Sequence, residues 1–298
     1  MQDDELFKLD LPYSCGNENY HSIKESLFLA MNKIEQNYKR EYESHFLNTG
    51  INLLNFPKGQ ITVLASRPSI GKTSFALSLL NHLAVRKGIP AGFFTTDYLD
   101  DVSLGKRLIQ INSNVAYRKI NSGMLKETDI KNITEAAKKL QKSSIYLSNI
   151  PNCSLDSFLD AANSMIEQEH IQFLIIDNLE LLADLQDSDK TEYRSTLEEV
   201  LICIQELAEQ YQIPVLITMT LPSSEKNEEP TLDDFNRFMI IPRLCEKVMF
   251  LHRARLKEEV KNQEALLIVA KNGNDCTWTS PVKFWPSTIS FTFKESGE

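Results

Sequence analysis

The residues of this sequence best placed to do chemistry are Gly71, Lys72 and Thr73, which close the run Ser66-Arg67-Pro68-Ser69-Ile70-Gly71-Lys72-Thr73. An apolar stretch, Ile61–Ala65, precedes the run and a helix-like pattern begins inside it. This is the G-x-x-x-x-G-K-[ST] pattern of a phosphate-binding loop, with Ser66 in place of the first glycine. Such a loop turns successive backbone N–H groups inward at a helix N-terminus, where the helix dipole also favours an anion. A small serine can still make the first turn. Gly71 lets the backbone approach the phosphates, Lys72 reaches the β/γ oxygens, and Thr73 offers its hydroxyl to Mg²⁺. Residues 66–73, with Ser74 next in the helix, are the candidate nucleotide-binding set. The magnesium shell needs a carboxylate from across the site, and the apolar run Phe173-Leu-Ile-Ile ends in Asp177. Thr73 and Asp177 are the candidate metal-binding pair, and the pattern predicts a nucleoside triphosphate bound with magnesium.

Holding these groups requires strands that end together. Strand-like runs are expected at Ile61–Ala65, Gly92–Thr95, Ser144–Leu147, Phe173–Asp177, Pro214–Thr218, Val248–Leu251 and Leu266–Ala270. Helix-like runs lie between them at 72–86, 100–111, 127–141, 155–168 and 192–211. Strands alternating with helices predict an α/β fold, a mostly parallel sheet covered on both faces. Phe173-Leu-Ile-Ile and Pro214-Val-Leu-Ile are continuously apolar, as strands buried on both faces must be. The tail "WTSPVKFWPSTISFTF" alternates in short pieces suited to antiparallel edge strands. Ahead of this domain, Ile23, Leu27, Met31, Ile34 and Tyr38 form one stripe of an amphipathic helix running to about Tyr42. That stripe fits packing on its own domain or on a neighbouring subunit. The expected division is an arm and helix over 1–48 and a nucleotide-binding domain over 49–298.

Composition narrows the setting. The chain has 298 residues, 42% of them apolar, and a formal charge of −9, which argues against a uniformly basic nucleic-acid surface. Five scattered cysteines, with no C-x-x-C pair, predict reduced thiols rather than zinc or disulfides. No apolar run approaches about 18 residues, and the acidic start "MQDDELFKLDLPYS" is unlike a basic signal sequence. A cytoplasmic protein with no membrane partner is expected.

Several segments together resemble the DnaB-type replicative DNA helicases. "LASRPSIGKTSFAL" is similar to that family's phosphate loop. "GFFTTDYL" stands where the family has Phe-Ser-Leu-Glu-Met, and "LGKRL" resembles its Leu-x-x-Arg-Leu. "NSGMLKETDI" looks like Thr-Gly-x-Leu-x-x-x-Asp, "FLIIDNLELL" like Ile-Asp-Tyr-Leu-Gln-Leu, "IPVLITMTL" like Val-Pro-Val-Ile-x-Leu-Ser-Gln-Leu, and "VMFLHR" like Val-Met-Phe-Leu-Tyr-Arg. The resemblance covers about residues 49–295 and implies a RecA-like fold, ATP as the nucleotide, and a head-to-tail ring with single-stranded DNA through its centre. It places the 23–42 helix at the family's linker, which docks on the adjacent subunit. Only the short arm precedes that helix, so no collar domain is expected.

The resemblance also assigns catalytic roles, and there the sequence departs from it. Asp97 takes the place of the family's water-activating Glu, one methylene shorter, and a misplacement of about 1 Å can cost on the order of a hundredfold. Thr220 takes the place of a γ-phosphate-sensing Gln. Lys271 is retained, but Gly273 occupies the position of an Arg that reaches into the neighbour's ATP site. Loss of such an arginine costs roughly 10³–10⁵ in rate. The loops expected to face DNA are acidic, net −2 over 184–194 and net −4 over 222–234. "NRFMIIPR" (236–243) is apolar where the family has the polar Arg-Glu-Ser-Gly-Ser-Ile-Glu-Gln. Two readings stand. One is a helicase motor with weakened catalysis through Asp97, Thr220 and Lys271. The other is an ATP-binding regulator or loader that associates with a true replicative helicase. A different RecA-type ATPase fits the ordered segments less well.

Overall fold

A computed structural model describes residues 23, 24, 26–28, 30, 31, 34, 45–95, 100–150, 153–182, 193–223, 228–253 and 264–295. The chain divides into two compact units, Met1–Leu47 and Asn48–Glu298. In the first, Ile23, Leu27, Met31 and Ile34 are helical, and Ile23, Leu27 and Ile34 are exposed. Tyr38 and the end of the expected helix lie outside the described residues.

The second unit is built on a nine-stranded sheet. In chain order its strands are β3 (Ile61–Ser66), β4 (Ala91–Thr95), β5 (Ile145–Asn149), β6 (Phe173–Asp177), β7 (Val215–Thr220), β8 (Lys247–His252), β9 (Glu264–Asn272), β10 (Trp278–Trp285) and β11 (Ser290–Thr292). A separate two-stranded sheet pairs β1 (Phe46–Ile51) with β2 (Leu54–Pro57). The large sheet runs β11-β10-β9-β8-β3-β7-β6-β4-β5. From β8 to β5 all pairings are parallel, while β8–β9, β9–β10 and β10–β11 are antiparallel. The mostly parallel sheet and its antiparallel tail are therefore as the alternation predicts. Seven strands coincide with the expected runs to within two residues at either end, and the β1–β2 pair is additional.

Every residue of β3, β4 and β6 is buried, which is why these strands read as unbroken apolar runs. One face of the sheet presents Ile61, Val63, Ile176 and Ile217 to Phe158 and Ala162 of α5 (Leu155–Glu169) and to Leu197, Leu201 and Ile204 of α6 (Tyr193–Tyr211). Against the other face lies α1 (Lys72–Asn81), whose Phe75, Ala76 and Leu79 are fully buried and which continues as a π-helical turn over His82–Arg86. The helices α2 (Asp101–Ser113), α3 (Tyr117–Ser122) and α4 (Glu127–Gln141) fill the long crossover from β4 to β5. Among the described residues no helix is long and apolar enough to cross a membrane.

Candidate functional site

Strand order decides which residues meet. With β7 between β3 and β6, the loop leaving β3, the last residue of β6 and the last residues of β7 share one edge of the sheet, at the carboxyl ends of its central strands. Ser66 pairs in register with Thr220, and Ile176 with Ile217, which sets Asp177 beside Thr218. The candidate nucleotide loop, the candidate metal carboxylate and Thr220 are thus brought together by topology.

The loop has the conformation an anion cradle needs. Ser66 is fully buried and its hydroxyl donates to the carbonyl of Arg67 at 3.0 Å, so the serine closes the turn where glycine would leave it open. Ser69 has φ +64° and Gly71 φ +114°. Gly71 is required by its φ, which is hostile to a side chain; a Cβ there would only touch the Phe291 ring at 3.4 Å. Ile70 is buried and anchors the loop's outer turn. Helix α1 begins at Lys72 with no side chain capping its N-terminus, the arrangement in which the first amides of a helix can receive an anion. Thr73 is half-buried and Ser74 buried in that first turn.

Lys72 turns back across the sheet edge. Its Nζ donates to Thr220 Oγ1 at 3.1 Å. Burial pushes the ammonium below the ordinary lysine range, while Glu180 and Asp177 pull it back up. Asp177 is buried, and Thr218 Oγ1 donates to its Oδ1 at 2.5 Å, fixing one oxygen and the plane of the carboxylate. These groups suit a triphosphate with a hard, oxygen-seeking cation: orphan amides and an ammonium for phosphate, a hydroxyl and an aligned carboxylate for Mg²⁺.

Glu180 is the site residue that sequence reasoning missed. It lies on a single 3-10 turn, Leu179–Leu181, directly after β6. Its Oε1 accepts the backbone N–H of Thr220, and its buried Oε2 has no hydrogen-bond partner. Burial pushes its carboxyl up to about 7; the Thr220 amide and Lys72 act against the rise and Asp177 adds to it. The available signal was its place in "FLIIDNLELL", where the resembled segment carries a neutral Gln.

The other expected residues fall elsewhere. Asp97 lies outside the described residues, as do 183–192 and 224–227 of the acidic loops and 254–263 beyond His252. Arg67 and Pro68 lie half-buried at the start of the loop, and the Arg67 guanidinium points along the end of β7, bonding Pro222 O and Asp234 Oδ1, each at 2.8 Å. Lys271, on β9, has its Nζ on the carbonyls of Pro242 (2.9 Å) and Cys245 (2.7 Å), at the C-terminal end of the short helix α7 (Ile240–Leu244). That is a favourable place for a cation. Gly273 has φ +53°, and a Cβ there would collide with the Glu246 carboxylate.

The profile described as DnaB-like helicase C terminal domain matches residues 44–293. The chain belongs to this family. Among its relatives, replicative DNA helicase DnaB of Treponema pallidum (strain Nichols) is 28% identical over 270 residues, covering 89% of this chain and 60% of that protein. Replicative DNA helicase DnaC of Bacillus subtilis (strain 168) is 23% identical over 275 residues, again 89% of this chain and 60% of the relative. The chain therefore spans about 60% of the length of these DnaB-like relatives. Two solved structures share its fold. One, of an ATPase domain, superposes with a TM-score of 0.74 at 19% identity, covering 93% of this chain and 100% of that one. The other, of a DnaB-like replicative helicase and its interactions with primase, gives 0.76 at 19%, covering 91% and 67%. The RecA-like architecture of the DnaB family is thus that of this chain.

Proposed function

We propose that this DnaB-like domain binds ATP with Mg²⁺ at the loop 66–74 and acts as a replicative-helicase motor domain whose hydrolysis is slow. The observation that carries the reading is the convergence of the uncapped α1 N-terminus, Lys72 and the Thr218-aligned Asp177 at one sheet edge. On this reading the amides of residues 69–73 and the Lys72 ammonium hold the β- and γ-phosphates, and Thr73 and Asp177 hold the metal. Magnesium supplies charge neutralisation on the phosphate oxygens. Asp97 orients the attacking water, Thr220 stands beside the γ-phosphate, and Lys271 acts from a neighbouring subunit of a ring. Single-stranded DNA is the proposed partner, in the cytoplasm.

One observation favours the second reading, a regulator or loader bound to a separate replicative helicase. The Lys271 ammonium is engaged within its own chain, and the turn at Gly273 has a left-handed backbone where a side chain would have to displace the Glu246 carboxylate. A subunit so arranged binds nucleotide without supplying a cation to its neighbour.

Lys72→Ala removes the phosphate-facing charge and is expected to weaken binding of a fluorescent ATP analogue at least about tenfold, or 1.4 kcal/mol. Equal binding by parent and variant refutes the site. Steady-state hydrolysis, with and without single-stranded DNA, separates the two readings. Slow turnover stimulated by DNA supports the motor, turnover indifferent to DNA supports the regulator, and turnover of about 1–100 s⁻¹ contradicts slowed catalysis.

A further inference from the structure

Two cations of the phosphate loop, five residues apart, grip residues two apart at and just past the end of the same strand. Lys72 holds the Thr220 hydroxyl, and Arg67 holds the Pro222 carbonyl through Nη1. Between these two, the N–H of Leu221 donates to the carbonyl of Ser66 at 2.8 Å. The Arg67 guanidinium does a second thing at once. Its Nη2 meets Asp234 Oδ1 at 2.8 Å, in an ion pair whose side chains are only 15% and 25% exposed. Its Nε is buried with no hydrogen-bond partner, so the two terminal nitrogens make the attachment.

Asp234 is committed on its other side as well. Its Oδ2 accepts the Thr231 N–H at 2.8 Å, and its own N–H donates to the Thr231 carbonyl at 3.0 Å, the reciprocal bonds that start the 3-10 turn Leu232–Phe238. That turn drives Phe235 and Phe238 into the core. A single guanidinium therefore ties the phosphate loop to both ends of the β7 connection. Lysine, a single point charge, does not reproduce this geometry.

We propose that Arg67 is a positioning residue rather than a phosphate ligand: it couples occupancy of the nucleotide loop to the segment 228–238 through Pro222 and Asp234. The proposal rests on the nucleotide-binding reading above. A triphosphate that draws Lys72 off Thr220 removes one of three ties between the loop and the end of β7; the Leu221–Ser66 backbone bond keeps the strand ends in register, and the Arg67 tie carries the loop's shift into the 3-10 turn. A side-chain tie broken by ligand beside one that is kept is the differential contact that a population shift requires.

The test uses the full chain, a non-hydrolysable ATP analogue with Mg²⁺, and hydrogen–deuterium exchange across 228–238. The parent is expected to change its exchange there when the analogue binds. Arg67→Ala and Asp234→Ala are both expected to lose that change, the double variant no further than either single one, with the analogue affinity of Asp234→Ala within about threefold of the parent, well short of the tenfold that one lost phosphate contact would give. Asp234→Asn keeps the shape and one acceptor, guards against misfolding, and is expected to retain part of the response. A purely structural brace would raise exchange equally with and without analogue, leaving the difference intact, and that result overturns the proposal. So does a parent that binds the analogue without any exchange change. An Arg67→Ala chain that loses about tenfold or more in affinity while Asp234→Ala does not would make Arg67 a phosphate ligand instead. A parent that binds no analogue at all refutes the nucleotide-binding reading itself.

Discussion

Glu180 places a buried carboxyl oxygen beside the candidate phosphate loop. Its folded carboxyl titrates near 7 against an ordinary 4.5, and burial is the main cause. Between about pH 4.5 and pH 7 the folded chain holds a proton that the unfolded chain has released, so stability falls as pH rises through this window. The loss is complete above about 7 and absent below about 4.5. Glu180→Gln keeps a carbonyl for the Thr220 amide and removes the charge. It is expected to raise the unfolding free energy by about 2–3 kcal/mol at pH 8 and by well under 1 kcal/mol at pH 4.5, measured by urea unfolding at both pH values. An equal gain at both would mean that packing, not charge, is responsible. The contrast with Asp177 shows what single residues disclose. Asp177 closes an unbroken apolar strand at a telling distance from a Gly-Lys-Thr, and that pattern is visible in one dimension. Glu180 follows three residues later in a turn, where a glutamate normally reads as solvated surface. Only the return of β7 alongside it reveals that it is enclosed.

At the level of elements, the expected strands stop one or two residues short where their ends are polar. Ser66 and Thr220 are strand residues in register with each other, yet their hydroxyls read as loop. The β1–β2 pair went unseen because "NTGINLLNF" combines a glycine, asparagines and a leucine, Leu53, at φ +61° in the turn. Long crossover helices were legible from their periodicity, but α3 and α7, at six and five residues, are too short to show one. Gly92 illustrates how an element constrains its neighbour. It sits in β4, and a Cβ there would lie 2.5 Å from Met165 Sδ of α5 and 2.8 Å from Ile171 Cδ1. Gly92→Ala is expected to destabilise the chain by about 1–3 kcal/mol, through displacement of the Met165 and Ile171 side chains rather than through any effect on the phosphate loop. Chemical unfolding measures the cost, and unchanged nucleotide affinity in the folded variant locates it. A neutral substitution would show that these side chains have slack the contacts deny.

As a whole molecule, the chain carries net charge −9 and an exposed apolar stripe on its N-terminal helix, at Ile23 (72% exposed), Leu27 (49%) and Ile34 (50%). On the ring reading this stripe is covered by a second copy. Sizing with the ATP analogue and Mg²⁺ is expected to show an oligomer that Ile23→Glu with Leu27→Glu reduces to monomer, because each buried glutamate forfeits several kcal/mol against an apolar contact. A parent that stays monomeric at tens of micromolar removes the ring from consideration. The helix was readable from its four-four-three-four spacing, whereas the surface that receives it is not a property of any one segment. The turn at Gly273 bears on the same scale. A side chain at that position adopts a left-handed backbone at roughly 1–2 kcal/mol, and the Glu246 carboxylate must swing aside to admit it. Any side chain at 273 therefore trades roughly 1–2 kcal/mol of fold stability, and the present position of Glu246, against whatever it would reach.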